Sequence, residues 1–234
     1  MKTKFVGQSV QRLEDLPLVT GRGRFVADVV FPDQLHMRVV RSGYAHGDIV
    51  SIDVSKAQAA AGVFAVWTAA DVEGLRPIAL REGPDEKLDP YLQPVLAGKR
   101  LRYVGEPVAV VFAEDPYLAE DAADLVSVDV KELPVVLAAH ETPVEFEPGR
   151  TTEPLVIHKG YGDVDAAFRA AHAVVELDLS LGRHSGVPLE TRGAIARYDA
   201  ARDLLQMYGA AKVPHRTRDG IARVLGRDPA TIHL

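Results

Sequence analysis

The residues predict a mixed α+β fold, and three observations carry that reading. First, Arg102–Val130 runs strand, helix, strand in about thirty residues, the pattern of a βαβ unit. Second, hydrophobic periodicity elsewhere switches between two and 3.6, so short strands and short helices are interspersed. Third, Thr231–Leu234 begins a new strand as the chain reaches its last residue, which predicts a second domain continued in further sequence or in a separate chain.

The N-terminal residues 1–19 read as a charged arm without periodicity, and Thr20-Gly21-Arg22-Gly23-Arg24-Phe25 as a turn between extended segments. That glycine pair lacks the third glycine and following helix of a dinucleotide-binding loop. Leu35–Arg41 and Ile49–Val54 are strands around a turn, and Ser55 is placed to cap a short helix ended by Gly62. Val63–Thr68 is again extended, and Gly74–Gly98 is a proline-rich loop. Pro107–Ala113 is a β-branched apolar run, suited to a strand buried on both faces. Asp115-Pro116 starts a helix, Leu118, Ala119, Ala122, Ala123 and Val126 form its apolar face, and Ser127–Val130 returns as a strand expected to pair in parallel with the first.

His140–Pro154 is rich in proline and acid and reads as a linker, so the chain divides into 1–140, a linker at 141–154, and 155–234. Gly162-Asp163 caps a helix carrying Val164, Ala167, Phe168 and Ala171. Val175, Leu177, Leu179 and Leu181 then alternate with polar residues as in a half-buried strand. Ile195–Tyr198 and Leu204–Tyr208 are strands, and Pro214–Leu225 is a helix closed by Gly226.

Composition narrows the function classes. With 47% hydrophobic and 26% charged residues the chain has an ordinary globular balance, and its net charge of −6 argues against nucleic acid as a partner. The absence of cysteine excludes disulfides, thiolate metal sites and iron–sulfur clusters held by this chain. No apolar stretch at the N-terminus suits a signal peptide or a membrane span, so the cytoplasm is the expected compartment.

Two segments could carry chemistry. Arg183–Gly193 (RHSGVPLETRG) gathers His184, Ser185 and Glu190, but neighbouring residues on an extended chain point apart, and the G-x-S-x-G spacing of a nucleophile elbow is absent. A hydrolytic site is therefore weighed against a loop whose ions pair with one another or with a partner. Gly209-Ala210-Ala211-Lys212 lies between a strand and a helix, where small residues admit a ligand to the backbone and a helix N-terminus favours an anion. An ordinary tight turn with an exposed lysine is the alternative there.

Collinear segments add to this reading. Leu18–Phe25, Val40–His46, Gly62–Asp71 and Arg102–Val111, followed by Gly162–Phe168 and Arg183–Arg197, resemble the molybdenum-binding subunit of the xanthine dehydrogenase/aldehyde oxidase/aerobic carbon monoxide dehydrogenase family. The resemblance implies an α/β hammerhead domain followed by the incomplete start of a molybdopterin-binding domain. It also implies a molybdenum–molybdopterin cofactor, in its cytosine dinucleotide form, which hydroxylates an aldehyde, N-heterocycle or related small molecule with oxygen from water. The expected partners are a chain with the rest of the molybdopterin-binding domain, an iron–sulfur subunit with [2Fe-2S] clusters and an FAD subunit. By the same resemblance Gly209, Ala210, Ala211 and Lys212 are cofactor-binding, while His184 and Glu190 line a substrate channel. No catalytic residue and no protein ligand to a metal is carried over. Many members place a glutamine where Lys212 stands, its amide donating towards an oxygen ligand of molybdenum. A non-catalytic scaffold that kept the fold and lost the cofactor is the rival expectation.

Overall fold

In the computed structural model, residues 5–79, 86–138, 140–182 and 184–234 are described. In chain order they form α1 (Asp15–Val19), β1 (His36–Arg41), β2 (Gly47–Asp53), α2 (Ser55–Gln58), β3 (Val63–Thr68), β4 (Arg100–Leu101), β5 (Pro107–Ala113), α3 (Pro116–Ala123) and β6 (Ser127–Glu132). There follow β7 (Glu145–Glu147), β8 (Arg150–Thr151), α4 (Val164–Ala170), β9 (Ala194–Asp199), β10 (Leu204–Gly209), α5 (Pro214–Leu225) and β11 (Ile232–His233).

The apolar run at β5 is the centre of a three-stranded sheet ordered β1-β5-β3, with both neighbours antiparallel. Val108, Ala109 and Val111 are fully buried there. Asp115 caps α3 as its sequence requires, its Oδ1 accepting from the Tyr117 amide at 2.8 Å. Ala119, Ala122 and Ala123 then pack inward, and Ala122 and Ala123 make the first core with Ala57, Val66 and Val111. The Asp115→Ala variant is expected to lose about 1 kcal/mol of stability by removing this acceptor. A lower urea midpoint at unchanged slope is the readout, and an unmoved midpoint would count against the cap.

The expected parallel pairing of the strands flanking α3 is wrong. β6 leaves β5 altogether and pairs antiparallel with β2 in a second sheet ordered β4-β2-β6. Both edges of β5 are already occupied by β1 and β3, so a returning strand has no ladder to join. Val128 and Val130 of β6 instead cover Ala97, Leu101 and Val108, the second core.

At the mouth of this core Glu106 is 1% exposed and faces Arg102. Its carboxylate accepts from the Arg102 amide at 2.6 Å and from Nε at 2.9 Å, while Arg102 also donates to the Leu92 carbonyl at 3.0 Å.

Other expectations change in detail. Ser55 is not a cap; its own amide is held at 2.9 Å by Asp53 Oδ1, and no side chain caps Val54. Hydrogen bonding to Ser55 keeps the Asp53 carboxyl below the usual range. The turn at Gly21 follows the short helix α1, not an extended segment. The proline-rich loop is described outside 80–85, where a 3-10 helix spans Glu86–Tyr91.

Within the stretch expected to be a linker, β7 and β8 pair as a hairpin that docks on the first module. Arg100 donates to Asp48 and to Glu147, each at 2.8 Å, and its guanidinium lies 5.5 Å from the Phe146 ring.

Beyond it, Asp163 Oδ1 caps α4 by accepting from the Ala166 amide at 2.8 Å. Val175, Leu177, Leu179 and Leu181 form no strand, and each lies largely in solvent. Alternation makes a strand only where a neighbour accepts its backbone groups, and among the described residues none does. β9 and β10 form the expected hairpin, and β11 adds to β10 in parallel with Ile232 buried. Arg227 clasps this unit by donating to the Asp203 carboxylate at 2.6 Å and to its carbonyl at 3.0 Å. Hydrogen bonds from Arg227 and then Tyr198 hold the Asp203 carboxyl below its ordinary value.

Candidate functional site

The turn between β10 and α5 owes its shape to two glycines that the register places side by side. Gly209 pairs with Ala194 across the hairpin, and a Cβ built on it would lie 2.8 Å from the Gly193 carbonyl oxygen. Only a residue without a side chain permits that approach. Ala210, Ala211 and Lys212 then lead into α5. Pro214 brings no N–H to the helix start, and no side chain caps Val213. Lys212 is exposed, and Arg216 lies in the first turn. Backbone amides open at a helix N-terminus, small residues before them and an ammonium group beside them form a donor set suited to an anionic, oxygen-rich ligand.

The remaining candidates lie before β9. Glu190 is half-buried, and its Oε1 accepts from the backbone amide of Val26 at 3.1 Å. The structure therefore brings Glu190, Gly193 and Gly209 to one end of the β9–β10 hairpin. His184 is not held there. Among the described residues its ring meets the Gly182 carbonyl at 3.4 Å and is otherwise in solvent. The Ser185 hydroxyl accepts from the Val187 amide at 3.4 Å, so His184 and Ser185 engage different backbone groups and no nucleophile–base pair forms. Arg183 lies outside the described residues. Among those described, no cluster of His, Asp or Glu could hold a metal ion, and no helix is long and apolar enough to cross a membrane.

Sequence reasoning placed the turn but missed the link between Val26 and Glu190, because it spans 164 positions. The Gly193–Gly209 neighbourhood was accessible in principle, since aligning the two strands about their connecting turn brings those glycines together.

Comparison with known proteins agrees with this architecture. Residues 20–134 match the family model of the aldehyde oxidase and xanthine dehydrogenase a/b hammerhead domain, and residues 146–234 match that of the molybdopterin cofactor-binding domain. The chain is 42% identical over 237 residues to the 6-hydroxypseudooxynicotine dehydrogenase complex subunit gamma of Paenarthrobacter nicotinovorans, covering 98% of this chain and 30% of that protein. It is 37% identical over 228 residues to the nicotine 6-hydroxylase large subunit of the same organism, covering 95% of this chain and 28% of that protein. The crystal structure of quinoline 2-oxidoreductase from Pseudomonas putida 86 superposes with a TM-score of 0.77 at 36% identity, over 97% of this chain and 29% of that one. The chain thus spans under a third of the length of these relatives. From the ordered match of both modules, the chain belongs to the xanthine dehydrogenase/aldehyde oxidase family, as the N-terminal part of its molybdopterin-binding subunit.

Proposed function

We propose that this chain is the N-terminal portion of a molybdenum hydroxylase large subunit that oxidises an N-heteroaromatic small molecule. The observation that supports this most directly is the small-residue turn Gly209–Lys212 entering an uncapped helix, within a segment matching a molybdopterin cofactor-binding domain. The substrate class rests on the relatives, whose names include nicotine and quinoline.

In the net reaction a carbon-bound hydrogen of the substrate is replaced by hydroxyl from water, releasing two protons and two electrons. A molybdenum–molybdopterin group, taken to be the cytosine dinucleotide form, supplies the redox centre when bound. The electrons leave through [2Fe-2S] clusters and FAD held outside these 234 residues, which contain no cysteine to ligate a cluster. In this reading Gly209, Ala210 and Ala211 admit the cofactor to the backbone, and Lys212 donates to one of its oxygens. An ammonium drawn into such a site is stabilised by the anion it faces. His184 and Glu190 border the substrate path, and Glu190 also accepts from the Val26 amide. The complex works in the cytoplasm.

The test is to tag the chain in its native host, purify what accompanies it, and measure molybdenum, iron and flavin. Near-stoichiometric molybdenum with iron–sulfur and flavin partners is expected. A chain arriving alone and metal-free would leave the scaffold reading. In the loaded complex, Lys212→Glu should retain about tenfold less molybdenum than the parent, as loss of an outer donor does at other metal sites. Unchanged retention would remove Lys212 from the cofactor site.

A further inference from the structure

We infer that residues 26–31 form a positioning strap for the Gly209–Lys212 turn, with Glu190 as its anchor. The inference rests on the cofactor reading only in naming that turn as the part positioned. At its start the strap is a 3-10 turn, Val26–Asp28, stiffened by Asp28 Oδ2 accepting from the Phe25 amide at 2.8 Å. Glu190 Oε1 accepts from the Val26 amide, and a Cβ on Gly193 would meet Val26 Cγ1 at 2.9 Å. The strap is therefore seated against the backbone that enters β9.

At its other end the Phe31 ring lies 5.2 Å from the Tyr208 ring, and the Arg197 guanidinium is 5.7 Å from Phe31. Arg197 opposes Gln206 and Ile195 opposes Tyr208, so Arg197 and Tyr208 are diagonal neighbours on one face of the hairpin. Leu205 and Met207 point the other way, into an apolar groove lined also by Ile221 and Val224 of α5. The end of β10 is thus held by the strap on one face, while its other face borders the groove. Tyr208 immediately precedes Gly209, so what fixes the tyrosine limits the freedom of the turn.

This assigns Glu190 a role set by its oxygen and not by its charge. An amide donor needs an acceptor, which the side-chain carbonyl of glutamine also provides. A residue lining a substrate path by charge would behave differently.

Hydrogen exchange on the full chain separates these cases without requiring bound cofactor, so it stands apart from the molybdenum measurement. In Glu190→Ala, exchange at the amides of residues 208–212 should rise about tenfold, with Val108–Val111 in β5 unchanged as an internal reference. Glu190→Gln should restore exchange to within about twofold of the parent. Phe31→Ala should reproduce the alanine effect from the opposite end of the strap. Parent-like exchange at 208–212 in both Glu190→Ala and Phe31→Ala would overturn the inference. So would a rise shared with β5, or a glutamine variant as loose as the alanine one.

Discussion

Replacing Glu106 with alanine is expected to lower the unfolding free energy by about 3 kcal/mol, because it breaks a buried ion pair by removing one partner. Glu106 is 1% exposed, whereas the Arg102 side chain keeps 30% of its surface in solvent. The stranded guanidinium can turn partly to water, which places the effect at the low end of such deletions. The Arg102 amide, part-buried, also loses its acceptor. Glu106→Gln keeps an oxygen for that amide and should lose about 1 to 2 kcal/mol. Chemical denaturation of parent and variants measures both. An alanine variant within about 1 kcal/mol of the parent would show that the pair contributes no more than a surface ion pair does.

The second large effect is expected at Gly209. Gly209→Val places a branched side chain where even a Cβ would lie 2.8 Å from the Gly193 carbonyl oxygen. A backbone oxygen cannot rotate away as a flexible side chain can, so the end of β10 must part from β9. Overpacking of this kind lowers stability by about 1 to 3 kcal/mol. The local consequence is larger if the following turn meets the cofactor, since displaced donors no longer reach it. Molybdenum retained by the purified complex should then fall by about tenfold or more. Parent-like retention in a folded Gly209→Val complex would detach the turn from cofactor binding, whatever its effect on stability.

Both expectations concern close approaches within the fold, and they differ in how far they can be read from residues alone. Arg102 and Glu106 are four positions apart around Gly105, and a reader of the sequence sees an opposite-charge pair beside the apolar run of β5. That the carboxylate is buried follows only from the tertiary fold, in which Ser42, just after β1, donates its amide to the Glu106 backbone carbonyl at 2.9 Å and Leu101 of β4 is fully buried. Likewise Gly209 and Gly193 are unremarkable singly, and the hairpin register makes them neighbours.

Apart from Ser55, whose amide is taken by Asp53, local capping signals were sound where the deciding partners lay within a few residues. Asp115 and Asp163 cap the helices that follow them, Gly226 ends α5 at φ 65°, and the β5 run is buried as its composition implies. The alternation Ser127-Val128-Asp129-Val130 carried a further clue, since a strand buried on one face suits an antiparallel sheet better than a parallel one. Pairing was decided by competition across the whole chain. β6 joined β2 because β5 had no free edge, and the alternating leucines of 177–181 found no neighbour among the described residues. Glu190, grouped by sequence with His184 and Ser185, was drawn instead to Val26. Caps, turns and periodicity are set by bonds that close within one or two turns of chain. Strand order and the final partner of a polar side chain depend on which distant edges and amides remain unoccupied once the first ladders have formed.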